Sequence, residues 1–480
     1  MRLGFGTGCI ALSLVACGSD AAPGAAGGSS SSGEVELPAS TTSDDPEPAG
    51  SSSSSSTTSA VADSSSTSDA EASSSGGDTT GGPEQQFLVG FDIQDITPNE
   101  GQLALNVYMG AYGPPFTRGP AEGVHDNVYV RSFSVSIGDT GFVAAIADVP
   151  GFGNDFTQDI VARVAENTGL PPEHIMIGAT HSHSSPDFMG LWGGGPSEYR
   201  NPTIDNVVGS MTRAWALRGP GHLEVASTTG PNSNRRDWEF TDDSVTLLMA
   251  RDDDGELLGT VGVFAAHPTI LGQSNKLITR DWFAGYIDTM EEHTGAPAVL
   301  FNGVLGDAAP ATPPGEYVDG FERAFTYGSL IADIAHEASG GADPITPTIV
   351  VDHVTWGMPV NNALFQLAAA IDLLDYSFSD SGDGQSVDAT GTYVRLGDQM
   401  QLISFPGEPL TRTGLEVKSA MTAPHQAIFG NTGPAFGYFI LGDEWMTGRN
   451  DDYEETVSLH ETAGDLAVEA LMDLIDADSF

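Results

Sequence analysis

The sequence predicts an α/β fold, a mixed sheet flanked by helices, with a metal site at the carboxyl ends of its strands. Two observations carry that expectation. Helical patterns alternate with short apolar runs along the chain, and each of six such runs is followed closely by a His, Asp, Asn, Glu or Tyr. In chain order the runs read as strands are 142–147, 175–179, 261–265, 299–301, 401–405 and 427–429, each ended by Gly, Pro or polar residues. The helices between and after them are 155–168, 204–217, 283–293, 320–338 and 458–476, with apolar residues at three- and four-residue spacing. The last opens on Ser458-Leu459-His460-Glu461, which matches a capping box. Following the strands come Asp148, then His181 and His183, then His267, then Asn302 and Asp307, then Glu408, and finally Asn431 and Tyr438.

Composition narrows the function classes. The chain has 480 residues, 17 basic against 66 acidic side chains and a formal net charge of −49. A nucleic-acid binder needs a basic face to neutralise phosphates, so that class is excluded. No stretch of about 18 apolar residues occurs, which excludes a polytopic membrane protein. Both cysteines, Cys9 and Cys17, fall near the amino terminus. Beyond them a metal must be held by His, carboxylate or Tyr.

The amino-terminal segment reads as an address and a tether. Arg2 precedes the apolar stretch 9–16, and Leu14-Val15-Ala16-Cys17-Gly18 is similar to a bacterial lipobox. Residues 1–16 are therefore expected to be a lipoprotein signal peptide, with Cys17 lipidated and the protein anchored in the bacterial cell envelope, periplasmic or surface-exposed. Residues 17–85 are rich in Ser, Thr, Gly, Ala and Pro, with 11 acidic residues and no Lys or Arg, the composition of a disordered, self-repelling tether. The folded body, 86–480, keeps 16 basic and 55 acidic residues, a charge of −39. It is expected to be a monomer.

The sharpest local signal is Ala179-Thr180-His181-Ser182-His183-Ser184-Ser185-Pro186. Two histidines at i, i+2 after a strand point to one side. One can bind a metal while the other serves beside it or as an acid or base. His267 after the third strand and Glu408 after the fifth add a second imidazole and a carboxylate. Two neutral His plus one carboxylate is the usual donor set of a catalytic zinc with an open water position. His174, His222, His293, His336, His353, His425 and His460 lack such settings and read as structural or surface residues. The run Gly190-Leu191-Trp192-Gly193-Gly194-Gly195-Pro196 lacks the Lys and helix of a phosphate-binding loop, and reads as a flexible loop at the site.

Several segments together resemble the neutral ceramidases, in family order over residues 87–460. They are Phe87-Leu88-Val89-Gly90, Asp95-Ile96-Thr97-Pro98, Met109-Gly110-Ala111-Tyr112-Gly113 and Gly123-Val124-His125-Asp126, then 179–186, which is similar to the family's T-H-T-H-S-G-P motif. Phe264-Ala265-Ala266-His267-Pro268-Thr269, Leu305-Gly306-Asp307-Ala308-Ala309-Pro310 and Pro406-Gly407-Glu408 are similar to F-A-x-H-x-T, G-D-V-S-P and P-G-E-x-T. Tyr438 and Tyr453-Glu454 resemble the closing Y-V-T-T and Y-E-G elements. The resemblance implies zinc held by His181, His267, Glu408 and Tyr438, with His183 the histidine beside the metal. It implies an essential arginine at Arg235, with Arg236 an equally good match, and Tyr453 stabilising the oxyanion. Either Glu408 or His183 would take the proton of the attacking water.

The implied activity is zinc-dependent hydrolysis of the amide of an N-acyl sphingoid lipid, ceramide giving sphingosine and fatty acid. Two rival readings remain: a zinc hydrolase of another amide or ester, and a decayed surface binding protein. The second rests on Ala309, which stands where the family has serine. Tyr438 and Tyr453 lie 15 residues apart, with an apparent insertion around Asp443-Glu444-Trp445. No C-terminal immunoglobulin-like domain is expected after the catalytic motifs.

Overall fold

The structure is a computed structural model that describes residues 86–112, 118–371, 374–382 and 384–478. The signal peptide, Cys17 and the tether of the sequence reading lie outside the described residues. Among the described residues, no helix is long and apolar enough to cross a membrane.

Among the described residues, two large sheets, three two-stranded pairs and the helices outside them make the body. The larger has nine strands, and its main path runs Ala298–Asn302, Leu257–Phe264, Ser244–Arg251, Gly219–Thr229, Phe87–Asp95, Tyr129–Ile137, Thr140–Ala147 and Ile175–Ala179. The smaller has five, with Ile349–Val360, Gly384–Leu396, Met400–Ser404 and His425–Phe429 in order. Three pairings within these sheets are parallel: 298–302 with 257–264, 140–147 with 175–179, and 400–404 with 425–429. These six strands are the six that the sequence predicts. The long antiparallel strands between them were not anticipated.

Alternation explains why strand 140–147 is apolar on both faces from Phe142 to Ala147. Phe142, Ala144 and Ile146 join the cluster between the sheets, whereas Val143, Ala145 and Ala147 join the one under helices Asn154–Thr168 and Ser197–Ala216. Strand 129–137 divides differently. Phe133 and Val135 face the smaller sheet, while Ser132 pairs with the Ser210 hydroxyl and Ser134 donates to the Ala214 carbonyl of helix 197–216. Between the sheets, Phe301 stacks on Phe429 at 3.9 Å, and Phe133 meets both edge-on.

Two helix boundaries depart from expectation. The helix expected from 204 begins at Ser197 and contains Pro202. Proline cannot donate to the carbonyl four residues back; the Gln102 amide donates to the Glu198 carbonyl instead. The final helix spans Ala463–Ala477, not 458–476, and no capping box forms. The Ser458 hydroxyl donates to the Tyr438 carbonyl, so the residue expected to cap a helix serves the site segment.

Gly90 marks the closest approach of helix 197–216 to the larger sheet, because a Cβ there would overlap the Ala214 carbonyl oxygen. Gly90→Ala should therefore lower the unfolding free energy by about 1–3 kcal/mol, as overpacking does. Urea denaturation checks this, and an unchanged midpoint would show that the helix has room to shift.

Candidate metal centre

The strand ends converge. His181 follows 175–179, His267 follows 257–264, and Glu408 follows 400–404. The Glu408 Oε2 lies 3.1 Å from His267 Nε2 and 3.4 Å from His181 Nε2. His183 completes the group: the donor atoms of His181, His183 and His267 lie within 4.8 Å of one another, and all three side chains are buried.

The far side of each ligand ring is anchored to backbone. His181 Nδ1 contacts the Pro150 carbonyl at 2.5 Å, and His267 Nδ1 contacts the Leu305 carbonyl at 2.6 Å. A carbonyl only accepts, so each Nδ1 carries the proton and each Nε2 presents a lone pair. The Asn431 amide donates to the same Pro150 carbonyl. His181 itself has φ +65°, a left-handed conformation costly for a side chain with a Cβ. It is held there by its N–H bond to the Val149 carbonyl, while His183 N–H bonds the Pro268 carbonyl.

Charge states sharpen the picture. Burial, with the Arg235 charge adding to it, holds the His267 imidazole down at about 4 against the pull of Glu408. Burial also holds His183 well below its ordinary value. Burial alone would raise the Glu408 carboxyl, but the surrounding His181, His267 and Arg235 hold it at about 2. At neutral pH a bare imidazole nitrogen thus faces an ionised carboxylate oxygen across 3.1 Å. Among the described residues neither has a hydrogen-bond partner, and both ring nitrogens of His183 also lack one. Buried acceptors that face each other need a cation between them. The residues present fit a metal ion.

Tyr438 joins the centre through pairing: the two-residue strands Glu408–Pro409 and Tyr438–Phe439 run parallel with Glu408 opposite Tyr438. Arg235 donates to the Tyr438 hydroxyl at 2.7 Å and to the Gly306 carbonyl at 2.7 Å. The Tyr453 ring lies 6.2 Å from that of Tyr438. The alternative between the two arginines is thereby separated. Arg235 reaches the centre, whereas Arg236 is fully buried and turned the other way, onto Glu454 and Glu455 at 2.8 and 3.0 Å.

Other strand-end residues turn out to be scaffold. Asn302 bonds the Thr180 and Ala266 carbonyls and the Ala266 N–H, tying the two His loops together. Asp307 accepts from Thr411 and Asn234. Asp148 caps the Tyr129 N–H and stands apart from the His cluster. The glycine run after Gly190 is held by the Asp187 carboxylate, which accepts the N–H groups of Met189, Gly190, Trp192 and Gly194. Ala309 pairs across to Ser233, whose hydroxyl donates to the Ala309 carbonyl at 3.4 Å.

Sequence reasoning missed three contributors. Glu454 is quoted above only as part of a motif, yet its Oε1 takes Arg235 and its Oε2 takes Arg236. Tyr112 lies edge-on to His183 at 4.9 Å, and Arg118 donates to the His183 carbonyl at 2.5 Å. The acceptors Pro150 and Leu305 act through backbone carbonyls, which leave no mark on residue identity.

The comparisons agree with the resemblance read from the motifs. No family model matches the chain. It is 27% identical to a neutral ceramidase of Pseudomonas aeruginosa over 196 residues, 36% of this chain and 29% of that protein. It is 27% identical to a neutral ceramidase of Mycobacterium tuberculosis over 230 residues, 41% of this chain and 35% of that protein. The matched stretches thus span about a third of these relatives. The solved structure of neutral ceramidase from Pseudomonas aeruginosa superposes with a TM-score of 0.68 at 18% identity, covering 82% of this chain and 74% of that one. A ceramidase complexed with C2 superposes with a TM-score of 0.67 at 17% identity, covering 82% and 75%. The chain has the neutral ceramidase fold and is related to these proteins in sequence.

The roles of the two arginines separate in stability. Arg236→Ala removes the only cation paired with the buried Glu455 and one of the two paired with the buried Glu454 among the described residues, and should cost about 3–5 kcal/mol of unfolding free energy. Arg235, 23% exposed in its side chain, should cost much less when changed to Ala. Equal losses in denaturant titrations would contradict the assignment.

Proposed function

We propose that the chain is a zinc-dependent amidohydrolase that cleaves the amide of an N-acyl sphingoid lipid, ceramide giving sphingosine and fatty acid. The observation that carries this reading is the facing pair of buried acceptors, His267 Nε2 and Glu408 Oε2, set at strand ends of a neutral ceramidase fold. His181, His267, Glu408 and Tyr438 are the residues that would hold zinc. When bound, zinc supplies Lewis acidity and lowers the pKa of its water to about 7.

The chain's own residues divide the remaining work. His183, whose ring nitrogens have no partner among the described residues, or else Glu408, would accept the proton of the attacking water and return it to the leaving amine nitrogen. Arg235 and Tyr453 stand beside Tyr438 and supply hydrogen-bond donors for the developing oxyanion, an effect worth about 3–4 kcal/mol where one donor has been removed from such a site. The carbon–nitrogen bond breaks, the water oxygen stays on the acyl carbon, and the amine leaves with the proton. Ala309 offers no hydroxyl, so the reading needs no serine nucleophile. We further propose export, Cys17 lipidation and action at the bacterial cell envelope, on the strength of the amino-terminal sequence alone.

Metal analysis of the purified protein should find close to one zinc per chain, with His267→Ala losing both the metal and hydrolysis of a fluorescent ceramide. Protein without metal, or ceramide turnover indifferent to His267→Ala, overturns the proposal. Turnover of a short-chain soluble amide in preference to ceramide keeps the reaction and moves the substrate. Ala309→Ser should alter the rate without being required for it; activity that appears only once serine is restored would overturn the water-attack mechanism.

A further inference from the structure

A surface helix ordinarily turns charged and polar residues to solvent; helix Ala363–Ala370 has a single polar residue, Gln366, and no charge. Phe365 and Ala368 are buried in the cluster under the smaller sheet. The opposite side carries Ala363, Leu367, Ala370 and Ile371, all exposed, at a spacing that lines them along one stripe. Leu367 is 42% exposed and Ile371 is 56% exposed. The amide of Gln366 turns back to donate to the Val360 carbonyl at 2.7 Å; scattered apolar residues are ordinary on a surface, whereas an apolar stripe beside so little polar surface is not. From 361 to 371 there is no ionisable residue, the next being Asp372, in a body that carries 55 acids against 16 bases.

Both ends of this helix are fastened to segments of the site. Asn361 and Asn362 donate their N–H groups to the Leu459 carbonyl, and the Asn362 amide donates to the Thr456 and Ser458 carbonyls, just beyond Tyr453. At the other end, Asp375 donates its N–H to the Met189 carbonyl, in the loop that follows His183. Leu191 and Trp192 of that loop pack against the same cluster as Phe365. The apolar stripe is thus continuous in the chain with the rim of the metal centre.

We propose that the exposed face of helix 363–370, with Ile371, docks on the surface of a zwitterionic lipid bilayer. Charge selects this occupant. A second copy of the chain would bring another −49 to the contact, whereas a zwitterionic surface brings no net charge. The helix is too short to span and has no basic face, so docking is by shallow apolar burial beside the headgroups. The inference stands apart from the hydrolase reading, because it concerns adsorption and not turnover.

The test uses the full chain with Cys17→Ala, so that no lipid can be attached, and vesicles of pure phosphatidylcholine. Co-sedimentation should retain the parent, and Leu367→Glu with Ile371→Glu should lower its partitioning at least tenfold. Leu217→Glu, at another exposed apolar position, should leave partitioning unchanged, and matching thermal midpoints establish that all variants fold. A parent that does not bind the vesicles, or a double variant that binds as well as the parent, overturns the proposal. A concentration-dependent dimer abolished by the double substitution, without vesicle binding, reassigns the face to a second copy and also overturns it.

Discussion

A carboxylate oxygen and an imidazole lone pair, buried and 3.1 Å apart, set the central constraint on this molecule. Such a contact is repulsive unless a cation occupies the space between. The surrounding structure is built to keep it from relaxing. Rotating the His267 ring would break the bond to Leu305, and rotating His181 would break the one to Pro150. Asn302 fixes the two loops against each other, and the strained backbone at His181 persists because strand and loop bonds over-determine it. The metal centre is thus a property of three strand ends in two sheets, not of one loop.

Behind this first ring of contacts stands a second set of charges. Glu454 divides its two oxygens between neighbouring arginines, sending Arg235 toward Tyr438 and Arg236 into the interior. Adjacent residues of one type therefore do opposite things, one beside the chemistry and one beneath it. A backbone of successive left-handed residues, Asn450, Asp451 and Asp452, leads into Tyr453 and Glu454. The Asn450 amide donates to Glu454 Oε1, so the strained turn is bonded to the charge cluster that it delivers.

What was legible in the sequence follows from burial. Segments 142–147, 175–179 and 298–301 have both faces covered, so each reads as an unbroken run without polar side chains and stands out. Strand 129–137 was missed because Ser132, Ser134 and Ser136 interrupt it, although all three are buried. Ser132 and Ser134 bond a helix to the sheet, a role that looks polar in sequence and is interior in space. His181, His183, His267 and Glu408 were legible because each immediately follows a recognisable strand. Arg235 against Arg236 was not, since their opposite directions depend on Glu454, 219 residues away from Arg235. Asp148 and Asp307 satisfied the same strand-end rule and yet serve as caps; position at a strand end locates the neighbourhood of a site without distinguishing ligand from scaffold.

The charge balance acquires a structural meaning in the same way. The few cations of the body are largely committed to internal pairs: Arg131 to Glu291, Arg213 to Asp92, Arg280 to Asp126 and Asp288, Arg395 to Asp478, and Lys418 to Asp242. With the bases spent on holding elements together, the excess acid falls to the surface, where it repels anionic partners and like copies alike. Against that background, the exposed stripe of helix 363–370 stands out as a surface segment with no ionisable residue of its own, bonded through Asn362 to the Thr456 and Ser458 carbonyls.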